Sequence, residues 1–259
     1  MRGYISACSR KQGLFPIILK QAHLCLIAGL LAGCAANAPA PDYDALVASP
    51  DRSEADRTND VRRKPAQFLA FMDVRPGMTV ADLDAAAGYT TELLARAVGD
   101  TGKVYAQNTR AAVDQLKGRF EERAKKPVMK NVVHVVRPFD DPLPPDARNL
   151  DLVTFNFGYH DTTYQAVDRD QMNRAVFNAL KPGGLYVVAD HSARPGAGVS
   201  VGKSLHRIEE AVLRREVEAA GFKLVAEGGF LRNPADPRDA AVFKPNQPND
   251  EFVLKFVKP

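Results

Sequence analysis

After residue 34 this chain of 259 residues has no cysteine. All three, Cys8, Cys25 and Cys34, fall in its opening segment. The remainder can form no disulfide and holds no thiol to oxidise. A surplus of one charge is missing too. The formal net charge is +4, and Arg2, Arg10, Lys11 and Lys20, with no acid among the first 34 residues, account for all of it. Residues 35–259 are neutral overall, and nothing in them suggests a nucleic-acid binder, which needs a clustered positive surface. No apolar run is long enough to cross a bilayer as a permanent helix, since Leu24 to Leu31 is too short. There is no internal repeat.

The basic residues followed by that apolar run suit a signal peptide over residues 1–33. The run ends in "LLAGC", Leu30 to Cys34, which resembles the bacterial lipobox. The resemblance implies cleavage before Cys34, lipid on its thiol, and export to the periplasmic side of a bacterial membrane. An ordinary signal peptide with a chance cysteine is one alternative, and a start codon placed too early on a cytoplasmic protein is the other. Residues 34–59, rich in Ala, Pro and Asp, read as a flexible tether. The domain then occupies residues 60–259. "VRRKP", Val61 to Pro65, is either a solvated helix start or a contact for lipid phosphates.

From Asp60 onward helical and strand patterns alternate. Phe68, Leu69 and Met72 share one helical face, and Leu93, Leu94, Ala97 and Val98 another that stops at Gly99. A further helix would bury Val113, Leu116 and Phe120, and one through Met172, Val176, Phe177 and Leu180 closes on "KPGG". A long one with Leu205, Ile208, Val212 and Val217 runs to Gly221. Between them lie short apolar runs fit for buried parallel strands, and "FKLVAE" and "FVLKFV" suit a terminal antiparallel pair. The fold class is α/β: a Rossmann-like, doubly wound, mostly parallel sheet with a C-terminal antiparallel hairpin.

"VADLDAAAGYTTELLARA", Val80 to Ala97, passes from a strand through a small-residue turn into a helix, as a nucleotide-cofactor site does. The order of elements, this turn and "LKPGGLYVVAD" resemble class I S-adenosylmethionine-dependent methyltransferases. "RPGMTVADL", "GKVYAQN", "YHD", "DHS" and "LRREVEAAGF" resemble, more narrowly, an exported bacterial group called predicted methyltransferases. The family turn has an acid and then three glycines at alternate positions. Asp82 matches the acid and Gly88 the last glycine, while Asp84 and Ala86 stand where the others would be. If those two positions need a left-handed backbone, each substitution costs about 1–3 kcal/mol. The resemblance places Asn108 where an acid would grip the cofactor ribose, and Asp140 or Asp141 beside the adenine with Phe139 stacking. S-adenosylmethionine, held weakly or lost, is the implied cofactor, with Asp82, Asp84, Ala86, Gly88, Asn108 and Asp140 around it.

His160 and Asp161 follow the fourth strand, and Asp190 and His191 the fifth, so all four belong at the carboxyl edge of the sheet where ligands bind. His206 would lean over the same rim, whereas His134 lies in an apolar strand and reads as structural. His160 or His191 would serve as general base, with Asp161 and Asp190 orienting the rings. A second possibility has Asp161, Asp190 and His191 holding a divalent metal, and a third makes them caps for helix starts and loop amides. The expected function is methyl transfer to a small molecule by an envelope-anchored enzyme, with the membrane met only through the lipid and no protein partner implied. Its rival is a non-catalytic lipoprotein that keeps the fold as a binding module.

Overall fold

The computed structural model describes residues 39–243 and 248–259. The expected signal peptide, with Cys34, lies outside the described residues. Among those described, no helix is long and apolar enough to cross a membrane.

Seven strands form one sheet in the order β3-β2-β1-β4-β5-β7-β6. They are β1 (Thr79–Leu83), β2 (Lys103–Asn108), β3 (Val132–Val136), β4 (Leu150–Asn156), β5 (Leu180–His191), β6 (Lys223–Gly228) and β7 (Glu251–Val257). The first five pair in parallel, and β7 runs antiparallel to both β5 and β6. The chain order therefore reverses between β1 and β4, which is where a doubly wound sheet opens a crevice.

Alternate residues of the strands feed two cores. Val80 packs with Leu69, Met72, Leu94 and Val98 of α3 (Pro65–Met72) and α4 (Tyr89–Val98). Ala81 and Leu83 face the opposite side, with Met172 and Val176 of α7 (Arg169–Ala179) and Leu213 and Val217 of α9 (Glu210–Ala219). The doubly wound class and its terminal antiparallel pair are as the sequence predicts.

Three segments differ. Residues 42–59, expected as part of a tether, carry α1 (Tyr43–Val47) and α2 (Glu54–Arg63), capped by Asp42 and Ser53. Tertiary bonds hold them: Tyr43 donates to the Val74 carbonyl at 2.9 Å, and Asp56 pairs with Arg123 at 2.7 Å. Similar bonds engage "VRRKP", where Arg62 meets Glu251 at 2.8 Å and the Arg63 guanidinium lies 4.0 Å over the Phe157 ring. The helix after β2 breaks at Lys117 and Gly118, both at positive φ, into α5 (Arg110–Leu116) and α6 (Arg119–Ala124).

The third difference matters most for function. The long helix expected through Leu205 and Ile208 is instead the one-turn α8 (Gly202–Leu205), a left-handed residue at His206 (φ 55°), and then α9. Ile208 bridges to Ser192 at the end of β5, and that strand-like pairing pulls the segment out of helical register.

Candidate active site

The turn after β1 has a left-handed backbone at all three of its key positions: φ is 53° at Asp84, 48° at Ala86 and 84° at Gly88. Glycine takes this conformation freely, whereas Asp and Ala give up about 1–2 kcal/mol each. The bonds around the turn offset that strain. The Asp84 amide donates to Gln107 Oε1 at 3.0 Å and the Ala85 amide to the Gln107 carbonyl at 2.8 Å. Asn108 takes the Ala86 amide at 2.8 Å and donates back to its carbonyl, and Arg123 reaches the Ala87 carbonyl at 2.7 Å. The shape of a cofactor turn survives without its glycines because the end of β2 holds it from behind.

That support reassigns several residues expected at the cofactor. Asn108 is buried, and its side chain bonds the Ala86 backbone on one side and lies 3.2 Å from His134 Nε2 on the other. Asp82 is buried and accepts from the Thr91 hydroxyl at 2.6 Å. Gly88 is covered by Phe120 and Arg123, which leave no room for a Cβ. A cavity of about 230 Å³ lies in front of the turn, and its walls include Asp84, Ala86, Phe139, Asp161 and Gln165. Asn108, Asp82, Gly88 and Asp140 are not on those walls. Asp141 instead pairs with Arg137.

Beyond the Asp84 carboxylate, which presses on Gly158 closely enough to exclude any side chain there, sits the polar cluster. A 3-10 turn, Tyr159–Thr163, carries His160 and Asp161. Asp190, fully buried at the end of β5, accepts from the His160 amide, the His160 Nδ1 and the His191 amide, each at 2.7 Å. On the other side of the ring, His160 Nε2 lies 3.1 Å from Asp161 Oδ1 and 3.2 Å from His206 Nδ1. The Tyr164 hydroxyl donates to that same Asp161 oxygen. His160, Asp161 and Asp190 therefore converge as expected, and the break before α9 brings in His206.

His191 does not join them. Its ring centre is 5.9 Å from that of His160, and its Nδ1 turns to Glu251 Oε1 at 3.1 Å in an alignment too poor for a hydrogen bond. Tyr164 gives no signal in the sequence. Asp84 was legible only as a departure from glycine, and its place on the cavity wall comes from the turn. His134 is structural: it stacks on Phe120 with ring centres 4.0 Å apart.

Burial disfavours charge on these groups, and neighbours correct it unevenly. Burial raises Asp82 to about 7. Burial and then the Asp161 charge raise Asp84 to about 6. For His160, burial acts against the imidazolium, but Asp190 and Asp161 outweigh it and push the pKa up to about 10.

All three groups hold more protons folded than unfolded, so each loses stabilising effect as pH rises. For the two aspartates the loss runs from about pH 4 to their folded values, and for His160 from about 6.5 to about 10. In a chelating buffer the urea midpoint is expected to fall steadily between about pH 5.5 and pH 9. A midpoint that is flat or rising over that range would show that His160 does not keep its proton.

Ubiquinone/menaquinone biosynthesis C-methyltransferase UbiE of Shewanella halifaxensis is 32% identical over 157 residues, covering 61% of this chain and 54% of that protein. The Escherichia coli protein of the same name is 34% identical over 119 residues, covering 46% of this chain and 45% of its own length. The chain thus spans about half the length of the curated relatives it matches. Among solved structures, a SAM-dependent methyltransferase from Aquifex aeolicus superposes with a TM-score of 0.56 at 17% identity, covering 80% of this chain and all of that one. An arsenic(III) S-adenosylmethionine methyltransferase from Chlamydomonas reinhardtii gives 0.52 at 15%, covering 85% and 74%. At such identities these two speak for the fold alone. The model of the ubiE/COQ5 methyltransferases matches residues 60–201, more than half the chain and the stretch that holds the turn, His160 and Asp161. With that match and a turn that keeps its left-handed backbone without the glycines, the chain belongs to the ubiE/COQ5 methyltransferase family.

Proposed function

We propose that this protein transfers a methyl group from S-adenosylmethionine to a small acceptor that gives up a proton. The observation that carries the reading is the left-handed backbone at residues 84, 86 and 88, the first two of which line a cavity. The residues present fit the cofactor. Phe139, Leu116, Ala111 and Ala112 offer an apolar wall, and Asp84 offers a carboxylate to a cationic ligand. At about 230 Å³ the cavity falls below the usual range of about 300–1,000 Å³ for small-molecule sites, which suits weak binding.

When bound, the cofactor supplies an electrophilic methyl on a cationic sulfur. The chain's own residues position the acceptor and receive its proton. Asp84 and Asp161 are the acidic groups on the cavity wall. Asp84, at about 6, can take a proton near neutral pH. His160, held as an imidazolium between Asp190 and Asp161, keeps Asp161 ionised: burial raises that carboxyl, but the histidine outweighs it and lowers it. While it keeps both ring protons, His160 acts by its charge rather than as the base.

Calorimetry on the full-length chain is expected to show weak heats of binding for S-adenosylmethionine and its demethylated product. Ala112→Trp, which fills the cavity, should abolish both. A second reading rests on Gln107 and Asn108, whose side chains satisfy the Asp84 and Ala86 amides from within. A turn whose amides are already taken suits a binding module, and the absence of heat for either compound would establish that reading.

Envelope anchoring through Cys34 is part of the same proposal, and "LLAGC" supports it. Cys34→Ser should release the protein from membranes and leave it at full length. A wild-type protein that stays unprocessed in the cytosol would remove this part of the proposal.

A further inference from the structure

Three side-chain atoms from three residues meet at one point beside the cavity, and each offers a lone pair once His160 Nε2 gives up its proton to an incoming ion. His160 Nε2 and Asp161 Oδ1 are 3.1 Å apart, His160 Nε2 and His206 Nδ1 3.2 Å, and His206 Nδ1 and Asp161 Oδ1 3.4 Å. Ligands around a tetrahedral zinc ion at about 2.0–2.1 Å sit about 3.3–3.4 Å from one another. The triangle has the right size for one face of such a site, and its atoms are close enough together to share one ion.

The surroundings are built the same way. A metal-bound imidazole is held by a carboxylate on its other nitrogen, which fixes the tautomer and the ring. Asp190 does this for His160 at 2.7 Å, and two backbone amides hold that carboxylate in turn. Tyr164 steadies the Asp161 oxygen from outside. His206 reaches the point only from a left-handed backbone that a non-glycine residue adopts at a cost. Its ring is seated edge-on against His160 and Phe243. Asp161 is shared between this cluster and the cavity wall, where Asp84 also lies.

We propose that His160 Nε2, His206 Nδ1 and Asp161 Oδ1 are the ligands of a divalent transition-metal ion of the zinc class, with its remaining position open to the cavity. Two imidazoles and a single carboxylate favour such an ion over magnesium or calcium, which take all-oxygen sites. The ligand set differs from the Asp161, Asp190 and His191 grouping that the sequence suggests, because Asp190 stands behind His160 and His191 points away. At the open position the ion would polarise a hydroxyl or thiol of the acceptor, and this use of the site rests on the methyltransferase reading. The metal site itself rests on its ligands.

The test uses the full-length chain, stripped with chelator and titrated with Zn2+ and with Co2+ as a coloured probe. One ion per chain is expected, with the visible bands of four-coordinate cobalt. His206→Ala and Asp161→Asn should each weaken binding by roughly a hundredfold or more, and Asp190→Asn by about 10–100-fold. Far-UV circular dichroism identifies any variant that has failed to fold. Asp161→Glu, which keeps a carboxylate, should recover part of the affinity. No uptake at micromolar ion, or equal affinity in wild type and His206→Ala, would overturn the proposal and leave a single proton on His160 Nε2 as the occupant of the triangle. Calorimetry of S-adenosylmethionine on the stripped chain separates the two readings. A chain that binds cofactor but no ion sinks only the metal site, and one that binds the ion but no cofactor sinks only the methyltransferase reading.

Discussion

Asp236→Ala is expected to destabilise the protein by about 3–5 kcal/mol, the usual cost of leaving a buried charge without its partner. The charge is that of Arg207, among the largest fully buried side chains. Its guanidinium donates to Asp236 Oδ2 at 2.8 Å, to the Ser192 and Ala240 carbonyls and to Asn249 Oδ1. Asp236 also accepts the Asp250 and Arg238 amides, so its removal strands backbone donors as well. Urea denaturation would read the loss directly. The double change Arg207→Met with Asp236→Leu should recover only the part due to the stranded charge, because the Asp250 and Arg238 amides and the carbonyls that Arg207 meets stay without those partners. A loss under about 1 kcal/mol for Asp236→Ala would mean that water reaches the guanidinium. The result bears on function because Arg207 directly follows His206. The lock that buries Arg207 also holds His206 in its left-handed conformation.

Asp190→Asn is expected to lower methyl transfer by roughly a hundredfold or more while leaving cofactor affinity nearly unchanged. Asp190 touches neither the cavity nor, on this reading, the acceptor. It positions His160 and sustains its charge. Loss of rate alone would not separate positioning from simple damage, so His160 should be titrated by NMR in a chelating buffer. With the carboxylate gone, the histidine pKa should fall from about 10 towards its ordinary value. Rate and titration moving together support the assignment. A variant that turns over within about threefold of wild type would remove Asp190 from the active site.

The order of strands and helices was legible because it rests on local periodicity. Leu93, Leu94, Ala97 and Val98 fall on one helical face whatever surrounds them, and all four are buried in α4. "YHD" and "DHS" could be placed at one edge of the sheet because strand order dictates where strands end. Convergence was a different matter. Asp190 and Asp161 both reach His160, yet His191, adjacent to Asp190 and with its ring centre 5.9 Å from that of His160, turns its Nδ1 to Glu251 on the paired strand β7.

By itself the sequence determined the fold class, the position of the cofactor turn after β1 and the edge of the sheet where chemistry belongs. Each of these rests on apolar spacing and chain order. Only the tertiary structure decided whether Asp84 and Ala86 had destroyed the turn. Strain at those positions is a local quantity, but what offsets it is the end of β2, some twenty residues away in the chain. The same holds for α1, tied to the Val74 carbonyl by the Tyr43 hydroxyl, for α2, whose Asp56 and Arg62 pair with Arg123 and Glu251, and for His206, which helical periodicity would have carried past the site. Ile208 pairing with Ser192 and the burial of Arg207 override that periodicity, because a few long-range contacts outweigh the small preference of one residue for staying helical.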